Sequence, residues 1–83
     1  MNYEVIHVSR GDIRLKIGNK HVRVLGEALT ASAPTEPNYV IYLNSLNNYE
    51  VPPDVALTEN EKHEIISAIQ KHFQDRGTVI DFE

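Results

Sequence analysis

The first 25 residues, MNYEVIHVSRGDIRLKIGNKHVRVL, alternate apolar and polar side chains between two glycine-containing turns. No other feature limits the possible fold as tightly. Ile6 and Val8, then Ile13, Leu15 and Ile17, then Val22 and Val24 recur at the period of half-buried strands. The turns fall at Arg10-Gly11 and Gly18-Asn19, where glycine is expected to supply the positive φ that two-residue hairpin turns require. Turns at these places set Leu15 opposite Val22 and Ile13 opposite Val24, with Val8 opposite Ile13 and Ile6 opposite Leu15. Both registers gather the apolar residues on one face, and a slip of one residue would turn a whole strand over. A three-stranded meander is the predicted start of the fold.

The other face of that meander carries His7, Arg14 and Arg23 in one row and Lys16 and His21 in the next. Like charges directly opposite each other are mildly destabilising. The face therefore either holds an anion or is solvated and relieved by nearby acids, and the solvated reading is preferred. Tyr3 is the one aromatic residue expected on this side.

Beyond the meander, Gly26 to Asn38 reads as a loop, with Pro34 and Pro37 among small polar residues. YVIYLNS, from Tyr39, is the next strand, and its near-continuous apolar run suits a strand that is central or covered on both faces. LNSLNNYEVPPD follows: Asn47-Asn48 suits a turn, Tyr49-Glu50-Val51 can pair briefly, and Pro52-Pro53 stops any ladder. Thr58 and Glu61 form a capping box at the start of a helix, and Glu59 and Glu61 suit the positive end of its dipole. Ile65, Ile66, Ile69 and Phe73 lie on one helical stripe, and Gly77 ends the helix just after Arg76. TVIDFE closes the chain as a short strand with Ile80 and Phe82 on one face. The predicted class is α+β: an antiparallel sheet, the N-terminal meander plus further strands, with one C-terminal helix packed on one face. Its core should hold Ile13, Leu15, Val22, Val24, Ile65, Ile69 and Phe73.

The chain has 83 residues, which suits a single domain over 1–83 with a thin core and little room for a deep pocket. Cysteine is absent, which removes disulfides and thiolate chemistry. The N-terminus has neither a basic region nor an apolar region of the secretory kind, and the longest apolar run, YVIYL, is far too short to span a membrane. A soluble, cytoplasmic protein without membrane partners is expected. Net charge is −4, unevenly spread: residues 1–26 carry five Lys or Arg against two acids, and residues 27–83 carry three against ten. Such asymmetry suits either an acidic surface for a basic partner or ordinary solvated scatter.

Catalytic patterns are missing. His63 and His72 point nearly opposite ways on the predicted helix, and His7 and His21 lie on separate strands, so no metal spacing is present. Ser9, Ser32, Ser45 and Ser67 stand in no nucleophile context, and no glycine-rich phosphate loop occurs. Asp81 and Glu83 alternate on the last strand and should face solvent, without the burying cleft that paired carboxylates need. Arg10-Gly11-Asp12 matches an adhesive tripeptide but reads here as a hairpin turn. No catalytic, metal or cofactor residues are expected. The serious alternative is a small nucleic-acid-binding regulator using His7, Arg14, Lys16 and Arg23. Net negative charge and the scarcity of aromatics on that face weigh against it.

The order of landmarks also resembles a known family. SRGDIRLKIGNKHVRVLGE, a NYVIYLNSL strand, an aromatic-acid-x-Pro-Pro element, an acidic-capped helix and the closing TVIDFE are similar to immunity protein 74. The likeness covers nearly the whole chain. Its most specific pieces are Arg10-Gly11, Gly26-Glu27, Tyr49-Glu50 with Pro52-Pro53, and Ile65-Ile66. Two departures stand out: Tyr49 occupies a place where Trp looks usual, and the Gly26-to-Asn38 loop is longer than in compact members. The resemblance implies a non-enzymatic antidote encoded beside a toxin of bacterial polymorphic toxin or contact-dependent inhibition systems. Many such toxins are nucleases with basic clefts, for which an acidic patch would be complementary. The expected partner-binding residues are Asn47, Asn48, Tyr49, Glu50, Asp54, Glu59, Glu61 and Glu64. Tyr49 is expected as an exposed anchor presented by the stiff prolines.

Overall fold

The structure, a computed structural model, describes residues 2–30, 36–53 and 55–83. Its elements are strands β1 (Glu4–Val8), β2 (Asp12–Ile17), β3 (Lys20–Ala28) and β4 (Tyr39–Ile41), a 3-10 turn at Leu43–Ser45, helix α1 (Glu59–Gln74) and strand β5 (Ile80–Phe82). The sheet has five strands in the order β1-β2-β3-β4-β5. The class is α+β, as expected. The sheet is mixed rather than wholly antiparallel, because β5 pairs with β4 in parallel. α1 is the crossover that makes this possible, carrying the chain back so that β5 starts at the same end as β4.

The β2–β3 register is the predicted one, with Ile13 opposite Val24 and Leu15 opposite Val22. Gly18 supplies its turn with φ +57. The β1–β2 register is different. Val8 does oppose Ile13, but Val5 rather than Ile6 opposes Leu15, because a bulge lies between Val5 and His7. The inserted residue inverts the phase of β1. Tyr3 and Val5 therefore turn toward the core, and Ile6 turns outward. The expectation of Tyr3 on the basic face fails for this reason. Gly11 is likewise not the turn-maker expected, since positive φ occurs only at Gly18 and Gly77 among the described residues. The Ser9 side chain closes that turn instead, accepting from the Asp12 amide at 3.1 Å.

Ile13, Leu15, Val22, Val24, Ile65, Ile69 and Phe73 are all buried in one cluster, joined by Tyr39, Ile41, Leu46 and Leu57. α1 covers one face of the sheet with its apolar stripe. Its capping box is complete: the Glu61 amide donates to Thr58 Oγ1 at 3.1 Å and the Thr58 amide donates to Glu61 Oε1 at 2.9 Å. At the other end Gly77 has φ +68, and the amides of Gly77 and Thr78 reach the carbonyls of Gln74 at 3.1 Å and Phe73 at 2.9 Å. That pair of bonds is the Schellman ending a C′ glycine permits.

Gly26 is strand, not loop, since β3 runs on to Ala28. A Cβ there would lie 2.4 Å from the Tyr39 ring and 2.6 Å from the Val40 carbonyl oxygen. The bare backbone lets Tyr39 cross β3, stack on Phe73 with centroids 5.7 Å apart, and donate to the Ser9 carbonyl at 2.9 Å. Pro34 and the middle of the expected loop lie outside the described residues.

Candidate functional site

β4 is too short to pair with all of β3, and residues 42–51 close the gap. The Tyr42 amide donates to the Leu25 carbonyl at 2.9 Å, Ser45 Oγ accepts from the Leu25 amide at 3.0 Å, and His21 exchanges backbone bonds with Glu50 and Val51. The brief pairing expected at Tyr49–Val51 is thus present, as an isolated bridge between His21 and Val51. Because these bonds hold the segment against β3, Leu46 and Tyr49 turn under the helix and join the core, while Leu43 and Val51 stay exposed.

Tyr49 is only 3% exposed, which corrects the expectation of a projecting anchor. Its hydroxyl lies 2.6 Å from that of Tyr3 and donates to Glu61 Oε2. Lys20 Nζ sits 5.1 Å from the centre of its ring. The ring fills the space between the β2–β3 turn and the start of α1, and its polar tip is satisfied internally, as buried tyrosines require. Burial, and then the bond to Glu61, push the Tyr49 phenol far above its usual range. The Tyr49 bond and the Thr58 amide hold the Glu61 carboxyl below the usual carboxylate range.

The expected contact set therefore separates. Glu61 is committed to Tyr49 and to the helix cap. Glu50 does not join the helix acids: it lies within 3.1 Å of Arg14 Nη1, on the side of the sheet away from α1. Asp54 lies outside the described residues. Asn47, Asn48, Glu59 and Glu64 are exposed. Asn47 and Asn48 sit beside the approach to α1, through the Leu57 amide bond to the Asn47 carbonyl at 2.9 Å and the bridge between Asn48 and Ala56. Glu59 pairs loosely with Lys62 at 3.4 Å.

The helix-free face of β1–β3 is where charged side chains converge. His7, Arg14 and Arg23 stand in one row and Lys16 and His21 in the next, as predicted. Nearby acids do relieve it. Asp12, 8% exposed, accepts from Arg23 Nε at 2.7 Å and from Ser9 Oγ, and lies 3.7 Å from Arg14 Nε. Glu4 stands opposite Lys16. The Ser9 hydroxyl, then the Arg23 guanidinium, hold the Asp12 carboxyl below its usual range, and the same contact raises Arg23. The adhesive reading of Arg10-Gly11-Asp12 has no support here, since Asp12 is turned into this network.

Asp12 was legible only as a turn residue, yet period two places it in line with Arg14 and Lys16. Leu25 was overlooked too, although it follows Val24 and must therefore face the other way. It is 42% exposed opposite Asp12, and Val51, 47% exposed, pairs with His21 on the same face.

An open groove of about 590 Å³ runs between β1 and α1, with Asn2, Glu4, His63, Glu64 and Lys71 among its walls. Among the described residues no three His, Asp or Glu side chains stand close enough together to hold a metal ion, and no helix is long and apolar enough to cross a membrane.

The structure is a small α+β scaffold whose helix-free sheet face gathers charged side chains. Comparison with protein families matches residues 5–83 to immunity protein 74, and the chain belongs to that family. No curated protein and no solved structure matches it.

Proposed function

We propose that this chain is a non-catalytic antidote that binds one cognate bacterial toxin and blocks it by direct contact. The observation that carries the reading is membership of the immunity protein 74 family across residues 5–83. A toxin of the polymorphic or contact-dependent inhibition kind, met in the cytoplasm, is the partner proposed. The surplus of acids over residues 27–83 supports a basic toxin, with a nuclease as the first candidate. Exposed Glu59 and Glu64 would steer its approach, and Asn47 and Asn48 extend that surface.

The nucleic-acid alternative loses ground to the acids that stand among the basic residues. Arg14 and Arg23 both lie beside Asp12, Arg14 also meets Glu50, and Lys16 faces Glu4, so the basic rows do not form a continuous track for phosphates.

The deciding experiment is to test the genes beside this one for a toxin module and to co-express that module with the chain. Cells should survive the toxin only when the chain is present, and the purified pair should form a stoichiometric complex. Continued growth arrest and no complex would reject the antidote reading. Tight RNA or DNA binding with a steep salt slope would favour the alternative.

A further inference from the structure

We propose that the helix-free face of β1–β3, centred on Arg14 and Arg23, is the docking surface for the partner protein, and that it takes exposed carboxylates of that partner. The inference rests on the antidote reading: the acids Glu59 and Glu64 act on encounter with the toxin as a whole, and the arginine face makes the close contact, with carboxylates as the groups it recognises.

Two arginines stand directly opposite each other on neighbouring strands, a placement that would repel without a counter-charge. Here a buried carboxylate holds them in place. Asp12 lies beneath the pair, engages both Nε atoms, and is itself anchored by Ser9. Nε of Arg23 is bound to Asp12, and its two terminal nitrogens carry no hydrogen-bond partner among the described residues, with Glu50 acting on the guanidinium through its charge alone. A guanidinium presented in this way matches a carboxylate through two parallel bonds. Its rotamer is already selected, so less entropy is lost when the partner arrives.

The surroundings favour a protein over a nucleic acid. Leu25 and Val51 are exposed aliphatic residues on the same face, able to exclude water around the arginines as the rim of an interface hot spot does. Glu4, Asp12 and Glu50 interleave the cations, so a polyphosphate chain would meet repulsion wherever it left the arginine pair. A few discrete carboxylates among apolar side chains meet no such obstacle.

The test uses the full chain and the toxin module against which it protects cells, with affinity measured at physiological salt and melting followed for each variant. Arg14→Gln and Arg23→Gln should each weaken binding about tenfold or more, chiefly through faster dissociation. Arg23→Gln can loosen Asp12, so Leu25→Ser is the second probe: its side chain makes no hydrogen bond in the network, and affinity should still fall several-fold. Gln70→Ala, on the exposed side of α1, should bind like the parent. Parental affinity in both Arg14→Gln and Leu25→Ser would overturn the assignment while leaving the antidote reading intact. So would loss confined to Glu59→Lys and Glu64→Lys. A parent chain that neither binds nor protects would overturn both, and salt-sensitive binding of Arg14 and Arg23 to RNA in place of the toxin would replace this proposal with a phosphate surface.

Discussion

The two faces of the β1–β3 meander are built from the same three strands and share every backbone bond, yet they are opposite in chemistry. The face under α1 holds Ile13, Leu15, Val22 and Val24, none more than 1% exposed. The other holds Asp12, Arg14, Lys16, His21 and Arg23. Alternation at period two separates the two roles residue by residue. In so small a domain this matters, because the apolar face must supply nearly all the stability. The charged face can then change at little cost to folding.

That separation can be broken, and the predictions run from the largest effect downward. Tyr49→Ala removes a buried ring from the covered side and should cost about 3–5 kcal/mol, a large share of a stability near the low end of the usual ~5–15. A urea midpoint equal to the parent's would mean that the loop does not belong to the core. Gly26→Ala comes next. Its Cβ would press on the Tyr39 ring and on the Val40 backbone, and overpacking of this kind costs about 1–3 kcal/mol. An unchanged melting temperature would show that Tyr39 can move aside and that its crossing is not needed.

Acid sharpens the comparison because it reaches both faces. His72 lies below its ordinary value, first through burial and then through Arg76, while Asp12 and Glu61 lie below theirs through hydrogen bonds. In each case the unfolded chain binds more protons than the folded one, so stability rises with pH. The His72 contribution is complete above its unfolded value of about 6.5 and is lost as pH falls through the lower folded value. The Asp12 and Glu61 contributions are complete above about 4 and are lost below it in the same way. Melting temperature should therefore fall in two stages, and His72→Gln should abolish the upper one. If the upper stage persists in that variant, His72 is not its source. The smallest effect belongs to the open face. Lys16→Ser should change stability by less than about 0.5 kcal/mol, and a larger loss by denaturant titration would show that this face also carries the fold.

Much of the covered face was legible. The apolar positions of β2 and β3, the Thr58–Glu61 cap and the Gly77 ending are written within a few residues of one another, and local rules of period and capping suffice to read them. The proposed contact surfaces were not. Tyr49 beside Asn48, Glu50 and two prolines has the look of a presented loop, because nothing local reveals that β4 ends at Ile41 and leaves part of β3's edge to be closed. Glu50 seemed to belong with the helix acids for the same reason. Its position depends on a strand that lies nearly thirty residues earlier in the chain. The bulge in β1 was equally hidden. Ile6 and Val8 continue the alternation, and only the demand for Tyr3 and Val5 beneath α1 selects the other phase.

The sequence by itself determined which residues alternate, where the helix begins and ends, and how β2 meets β3. These depend on neighbours a few positions apart, whose geometry the backbone dictates. Only the tertiary structure decided that β5 lies parallel beside β4, that Tyr49 bonds Tyr3 across 46 positions of chain, and that Asp12 sits beneath Arg14 and Arg23. Periodicity states which face a side chain takes but not what meets it there. A hydrogen bond or ion pair between distant residues forms only after burial has brought them together, and its partner is chosen by the space that packing leaves.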